Sequence, residues 1–169
     1  MKRIFLFVFL GVGFILTGCS NDLDNDITNE LKIGVVGKIP NIIEDNVEFI
    51  PATFNDITAN HQYDAFFIME DSLSEAAEIE NINRFKESKS YIFFVGSKAH
   101  YFPFIEHAIS VTYEEYSKRI NDHQSYISGI RYVNDVGEFV GYTANLQSFN
   151  EKDKLEAYLT TFEYINKNK

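Results

Sequence analysis

Five short apolar runs, separated by polar stretches, constrain the fold of this chain more than any other feature. The runs are rich in β-branched and aromatic side chains, and several are apolar almost without interruption. Strands have this composition when both faces of their sheet are covered, as in parallel sheets. The pattern predicts strands at Leu31–Val36, Val47–Ile50, Ala65–Met69, Tyr91–Val95 and Ala108–Val111.

The polar stretches between and after these runs carry helix-start signals. In a capping box, a hydroxyl and a carboxylate three residues apart each satisfy a backbone N–H that the first helical turn leaves unpaired. Ser72–Glu75 fits this pattern, and it predicts a helix that continues to about Lys86. Two further helices are predicted from Thr112 to about His123 and from Ser148 to about Asn166.

Strands that alternate with helices predict an α/β fold, because right-handed crossovers place parallel strands side by side with helices on both faces. We therefore expect a three-layer domain with a mostly parallel sheet and a flavodoxin-like strand order. Near the C-terminus, Ile127–Val133 and Glu138–Ala144 flank the turn-forming segment Asn134–Gly137. This arrangement predicts an antiparallel hairpin added to the parallel sheet and followed by the terminal helix.

The overall charge restricts the possible partners. The 169 residues include 25 acidic and only 15 basic side chains, which gives a net charge of −10. An acidic surface repels phosphate backbones and anionic lipid headgroups, so we expect no nucleic-acid binding and no membrane contact through the protein surface itself. The length suits a single domain, which we expect to be monomeric.

The N-terminus has a separate composition. Lys2 and Arg3 precede an apolar run from Ile4 to Leu16. This run is shorter than the ~20 residues that a membrane-spanning helix needs. A charged start, a short apolar middle and small residues at the end are typical of a secretory signal peptide. The run ends in Leu16-Thr17-Gly18-Cys19, which contains the only cysteine of the chain.

This four-residue segment resembles the lipobox of bacterial lipoproteins. The resemblance implies that residues 1–18 are removed, that the Cys19 sulfur carries a diacylglycerol, and that the new amino group is often acylated. It places the protein on the extracytoplasmic face of the cell membrane. In a Gram-negative source, Ser20 resembles the signal for sorting to the outer membrane. Residues 19–30 are polar and acidic and predict a flexible tether, followed by one domain over residues 31–169.

Common catalytic and cofactor motifs do not fit this sequence. Gly34 and Gly37 lack the spacing of dinucleotide- and phosphate-binding loops. The four histidines, at positions 61, 100, 107 and 123, lack the spacing of a metal site. Ser97 is not in a G-x-S-x-G nucleophile turn. We therefore expect no metal, no cofactor and no catalytic residue.

A candidate ligand site follows from the predicted topology. In open α/β sheets, ligands bind beyond the carboxyl ends of the strands. Six polar residues are predicted there: Lys38, Glu70, Asp71, Ser97, Lys98 and His100. They admit two interpretations, a site for a zwitterionic or anionic ligand and a set of solvated loop charges. The aromatic segment Tyr101–Phe104 is an alternative contact surface.

The layout of Leu31–Val36 and Tyr63–Ile68 resembles one lobe of the periplasmic-type solute-binding proteins, although the chain is too short for two lobes. We expect a non-catalytic lipoprotein module that binds another envelope protein or a small ligand. The alternative is a small envelope enzyme, for example a hydrolase, with its site at the strand carboxyl ends. A sacrificial or immunity-type lipoprotein is a third possibility that the sequence does not rank.

Overall fold

The computed structural model describes residues 29–59, 62–105, 111–134, 138–148 and 150–169. Within these ranges the chain has an α/β fold in which one six-stranded mixed sheet carries four α-helices and three short 3₁₀ segments. The strands are β1 (Leu31–Val36), β2 (Val47–Ala52), β3 (Ala65–Ile68), β4 (Tyr91–Val95), β5 (Ser125–Tyr132) and β6 (Phe139–Asn145). The α-helices are α1 (Leu73–Ala76), α2 (Ile79–Ser88), α3 (Tyr113–Ile120) and α4 (Glu151–Asn168).

The sheet has the order β2-β1-β3-β4-β5-β6. Its first four strands are parallel, and their order agrees with the flavodoxin-like prediction. β5 then pairs antiparallel with β4, and β6 pairs antiparallel with β5. The predicted C-terminal hairpin is therefore confirmed, and it extends the sheet beyond β4.

Four of the five predicted strands coincide with observed ones. β1 and β4 have the predicted bounds, β2 is two residues longer, and β3 is one residue shorter. Most of the fifth, Ala108–Val111, lies outside the described residues, and Val111 itself is not in a strand. The continuous apolar character of these runs has a direct cause, because every residue of β3 and β4 is buried.

The single helix predicted from Ser72 is wrong in detail. A 3₁₀ turn occupies Glu70–Ser72, α1 is only one turn long, and α2 begins at Ile79. Ser72 forms no side-chain cap because its backbone continues the 3₁₀ turn (φ −114°, ψ 2°) instead of taking the extended conformation of an N-cap. The hydroxyl of the neighbouring Ser74 donates to the Glu114 carboxylate of α3.

The other two predicted helices are present with shifted bounds. Thr112 caps α3 as expected, since its Oγ1 accepts a hydrogen bond from the Glu115 amide at 3.4 Å. α4 begins later than predicted because Asn150, rather than Ser148, supplies the N-cap oxygen, at 2.8 Å from the Asp153 amide. Ser148 instead donates to the carboxylate of Asp153.

Two aromatic clusters hold the helices against the sheet. On one face, Phe162 of α4 stacks on Phe67 of β3 with ring centroids 6.1 Å apart. The second cluster contains Phe66 and Ile68, which flank Phe67 in β3. In this cluster, the ring centroids of Phe85 of α2 and Phe94 of β4 lie 5.7 Å apart. Fully burying a side chain of this size contributes ~1.5–3 kcal/mol, so these contacts are a major part of the core.

The direction of α4 positions the candidate site. The helix ends beside the amino ends of the strands, where Tyr91 donates to the Asn168 carbonyl at 3.3 Å and Lys169 donates to the Glu30 carbonyl at 3.0 Å. Its first turns consequently lie at the carboxyl ends of the parallel strands. None of the helices in the described ranges is long and apolar enough to cross a membrane.

Candidate ligand-binding site at the strand ends

Hydrogen bonds join the segments that follow β1 and β3. The Met69 amide donates to the Val36 carbonyl at 2.9 Å, and the Lys38 amide donates to Asp71 Oδ1 at 3.4 Å. Gly37 has φ +106°, and a Cβ there would lie 2.3 Å from Asp71 Oδ1. Only glycine fits this close approach. These constraints place Lys38, Glu70 and Asp71 beside one another.

The segment after β4 lies at the same edge of the sheet. The Gly96 amide donates to the Tyr126 carbonyl at 2.7 Å, which ties the end of β4 to the start of β5. Ser97 is buried, and its hydroxyl donates to the His100 carbonyl at 2.6 Å while accepting from the Ala99 amide at 3.3 Å. These two bonds give the Ser97 hydroxyl a structural role in the loop.

His100 connects two loops. Its Nε2 lies 2.7 Å from Asp122 Oδ2, and its backbone has φ +52°. Partial burial raises the pKa of the Asp122 carboxyl, but hydrogen bonds from Ser125 and Gln124 together with the nearby imidazole bring it below its usual range. Asp122 is therefore a carboxylate at neutral pH, and it joins the loop after β4 to the loop after α3.

Two cavities open at this edge of the sheet. The larger has a volume of about 800 Å³ and lies between the loop after β1, the end of β3 and the first turns of α4. The smaller has about 190 Å³ and lies against Gly96–Lys98. Glu70, Tyr126 and Lys154 line both cavities, so these three residues form the wall between them.

Apolar and aromatic side chains form most of the larger cavity. Ile43 is 94% exposed and Leu155 is 40% exposed, so its rim presents apolar surface to solvent. Deeper in, the rings of Tyr126 and Tyr158 meet edge to face with centroids 6.0 Å apart. Burial raises the pKa of both phenols, so each remains a neutral hydrogen-bonding group at physiological pH.

The charged groups of this cavity differ in how far they are already paired. Lys154 Nζ lies 2.8 Å from Glu151 Oε1, and this contact raises the pKa of the lysine. In contrast, the Glu70 carboxylate and the Lys38 ammonium have no hydrogen-bond or ion-pair partner among the described residues. One ammonium group, that of Lys38, and two carboxylates, those of Glu70 and Asp71, therefore line the cavity without an ion-pair partner among the described residues.

The structure brings five of the six predicted residues to the two cavities. Lys38, Glu70 and Asp71 line the larger one, and Glu70, Ser97 and Lys98 line the smaller one. His100 lines neither of them and contacts Asp122 instead. The predicted lipidation residue, Cys19, lies outside the described residues, as do His61 and His107.

Sequence reasoning missed the part of the site that comes from β5 and α4, namely Tyr126, Glu151, Lys154, Leu155 and Tyr158. Glu151, Lys154 and Tyr158 follow a helical i, i+3, i+7 spacing, which indicates that they share one face of α4. That spacing does not say which end of the sheet the helix covers.

No cluster of three or more potential metal-ligating side chains occurs in the part of the chain that the structure describes. No protein-family model matches this chain, and no curated protein or solved structure is significantly similar to it.

Proposed function

We propose that this protein is a lipid-anchored envelope lipoprotein whose domain is a non-catalytic module that binds a small ligand or an envelope protein at the carboxyl ends of its strands. The observation that carries the binding role is the cavity of about 800 Å³ at the edge that the topology predicts, lined by Lys38, Glu70 and Asp71. Ligand pockets commonly have volumes of ~300–1,000 Å³ and mostly apolar linings with a few polar groups.

The anchor rests on the sequence resemblance of Leu16–Cys19 to a lipobox. A single acyl chain binds a membrane only marginally, whereas the two or three chains implied here anchor stably. The Cys19→Ala variant should accumulate as an unprocessed precursor that incorporates no labelled fatty acid. Full lipid labelling of this variant would refute the lipoprotein assignment.

The proposed tether and the cavity lie at opposite ends of β1. The tether joins the domain at Leu31, the amino end of β1, whereas the cavity opens beyond Val36, the carboxyl end of the same strand. Six residues of β-strand span ~20 Å. The cavity therefore lies at the far end of β1 from the point where the tether joins the domain, which favours a ligand or partner that reaches the site from the aqueous phase.

Substitutions at the rim test the binding role. Leu155→Arg places a charge at the cavity mouth, and Phe102→Arg is the matched control because Phe102 is similarly exposed (43%) but lies in the separate aromatic loop. We expect Leu155→Arg to abolish capture of a partner from detergent-solubilised envelope, or the ligand-induced rise in melting temperature, while Phe102→Arg retains both. The opposite result would move the site to the Tyr101–Phe104 loop.

One contact supports the alternative of an envelope hydrolase. The His100–Asp122 pair, at 2.7 Å, provides the base and the orienting carboxylate that a nucleophilic site requires. Ser97 is the serine nearest to His100 in sequence, but its hydroxyl donates to the His100 backbone carbonyl. Activity-based hydrolase probes separate the two functions, since labelling of a body residue that is lost in His100→Ala would favour the enzyme.

We further propose that the domain is a three-layer α/β sandwich. The contacts of α4 with Phe67 and those of α2 with Phe94 support it, because alternate residues of a strand face opposite sides of a sheet.

A further inference from the structure

The lining of the larger cavity combines charged groups with exposed apolar side chains. Lys38, Glu70 and Asp71 supply the charges, all three from the loops that follow β1 and β3. Ile43 and Leu155 supply exposed apolar surface, from the loop after β1 and from α4. A ligand that fits both parts has a polar end and an apolar body.

The charge balance narrows the polar end. Three carboxylates, those of Glu70, Asp71 and Glu151, and two ammonium groups, those of Lys38 and Lys154, line the cavity. Lys154 is neutralised by Glu151 at 2.8 Å, and Asp71 accepts the Lys38 backbone amide at 3.4 Å. The Glu70 carboxylate and the Lys38 ammonium then remain without a partner, and the Asp71 carboxylate keeps its charge because a backbone amide is neutral. A purely anionic ligand would be repelled by Glu70 and Asp71, and a ligand with only an ammonium group would leave Lys38 without a partner.

The positions of these two residues set the scale of the ligand. Val36 and Ile68 are register partners on adjacent strands, and Lys38 and Glu70 each follow two residues later. Adjacent strands lie ~4.8 Å apart, so the two side chains start from neighbouring points on the sheet edge. A ligand whose ammonium and carboxylate are separated by a few bonds suits this placement better than a long chain with charges at distant ends.

The aromatic wall contributes hydrogen bonding without charge. Tyr126 and Tyr158 line the cavity, and burial keeps both phenols neutral. Tyr126 is partly exposed and Tyr158 is buried behind it, so the ring and hydroxyl of Tyr126 suit an apolar body that carries amide groups, since amphipathic aromatic side chains offer both kinds of contact.

We propose that this cavity binds a zwitterionic ligand with an apolar body, of the class of apolar amino acids and short apolar peptides. The ligand ammonium pairs with Glu70, its carboxylate pairs with Lys38, and its body lies against Leu155 and Tyr126. This assignment rests on the proposed function of the cavity as a binding site.

Four forms of one dipeptide test the assignment, with the lipid-anchored protein in nanodiscs and isothermal titration calorimetry as the measurement. The probes are leucyl-leucine, its N-acetyl form, its C-terminal amide and the form blocked at both ends. We expect each single block to weaken binding about tenfold, which is ~1.4 kcal/mol, because it removes one charge-assisted hydrogen bond and leaves Glu70 or Lys38 without its partner.

Protein variants connect each charge to its partner. Glu70→Gln should remove the difference between leucyl-leucine and its acetyl form, and Lys38→Gln should remove the difference between leucyl-leucine and its amide. Glu87→Gln on α2 is the control, since Glu87 is exposed and does not line the cavity. It should leave all four affinities unchanged.

The outcomes distinguish this assignment from the proposed function. Equal binding of all four probes to the wild-type protein, lost in Leu155→Arg, would overturn the zwitterion assignment and keep the cavity as a binding site. Binding that Leu155→Arg leaves unchanged would overturn both. If no probe binds, the zwitterion assignment is wrong, and the proposed function then depends on the partner-capture result for Leu155→Arg.

Discussion

Removal of one buried hydroxyl should stabilise this protein. Tyr132 of β5 is only 2% exposed, and its hydroxyl has no hydrogen-bond partner among the described residues. Burial raises the pKa of this phenol to about 12. A buried polar group without a partner carries a desolvation penalty of ~1–3 kcal/mol. The Tyr132→Phe substitution removes that hydroxyl and keeps the ring, which packs against Phe139 with centroids 5.8 Å apart.

The magnitude follows from the penalty that is removed. We expect the free energy of unfolding to rise by about 1 kcal/mol, the lower end of the desolvation range. For a domain of this length, that change raises the melting temperature by ~2–4 °C. Urea denaturation should show a higher midpoint with an unchanged slope, because the surface exposed on unfolding stays the same.

Tyr142→Phe is the matched control, with an effect of opposite sign. Tyr142 and Thr161 hydroxyl oxygens lie 3.1 Å apart, and the Thr161 hydroxyl already donates to the Ala157 carbonyl at 2.7 Å. Tyr142 is therefore the donor to Thr161. Its removal should lower the free energy of unfolding by ~0.5–1.5 kcal/mol. If Tyr132→Phe destabilised the protein as Tyr142→Phe does, the Tyr132 hydroxyl would have a partner, such as a buried water, and our reasoning would be wrong.

Two further predictions concern the loops of the candidate site. The pKa of Asp122 lies below its usual value in the folded protein, so the carboxylate adds stability above pH ~4, and that stability is lost as the pH falls through the lowered pKa. Chemical denaturation between neutral pH and pH 3 should show a smaller loss in Asp122→Asn than in the wild type, and an equal loss would contradict the assignment. Gly37→Ala should destabilise the domain by at least ~1–3 kcal/mol, because φ is +106° and the new Cβ would collide with Asp71. Gly96→Ala is its control and should cost less, since φ is +75° there but the nearest side-chain atom lies 3.4 Å away. Equal losses in the two variants would show that the contact with Asp71 has no effect.

The strands could be predicted where the apolar pattern of the sequence matches the burial of the residues in the sheet. β1 and β4 have their predicted bounds because nearly all of their residues are buried and both segments are largely apolar. Helix starts were less predictable, since several oxygens compete for the same amides. Thr112 caps α3 as predicted. At the start of α4, however, the Asp153 amide donates to the side chain of Asn150, and Ser148 is not the cap.

The candidate site was predictable only where it follows from parallel topology. Lys38 and Glu70 were expected together because parallel strands end at the same edge. Tyr126 reaches that edge for a different reason. β5 is antiparallel, so its beginning coincides with the ends of the parallel strands. The placement of Tyr158 depends on the direction of α4, which tertiary contacts set and no local pattern encodes.

α4 extends from the proposed binding site to the end of the domain where the proposed tether joins it. Glu151 lines the cavity at the first residue of the helix, and Lys169 contacts Glu30 just beyond its last residue. An α-helix rises 1.5 Å per residue, so these 18 residues extend ~27 Å. Because the cavity lies that far from the attachment of the tether, a spacer inserted after Ser20 should leave leucyl-leucine affinity unchanged in nanodiscs. A change in affinity with spacer length would mean that the tether or the bilayer contributes to the site.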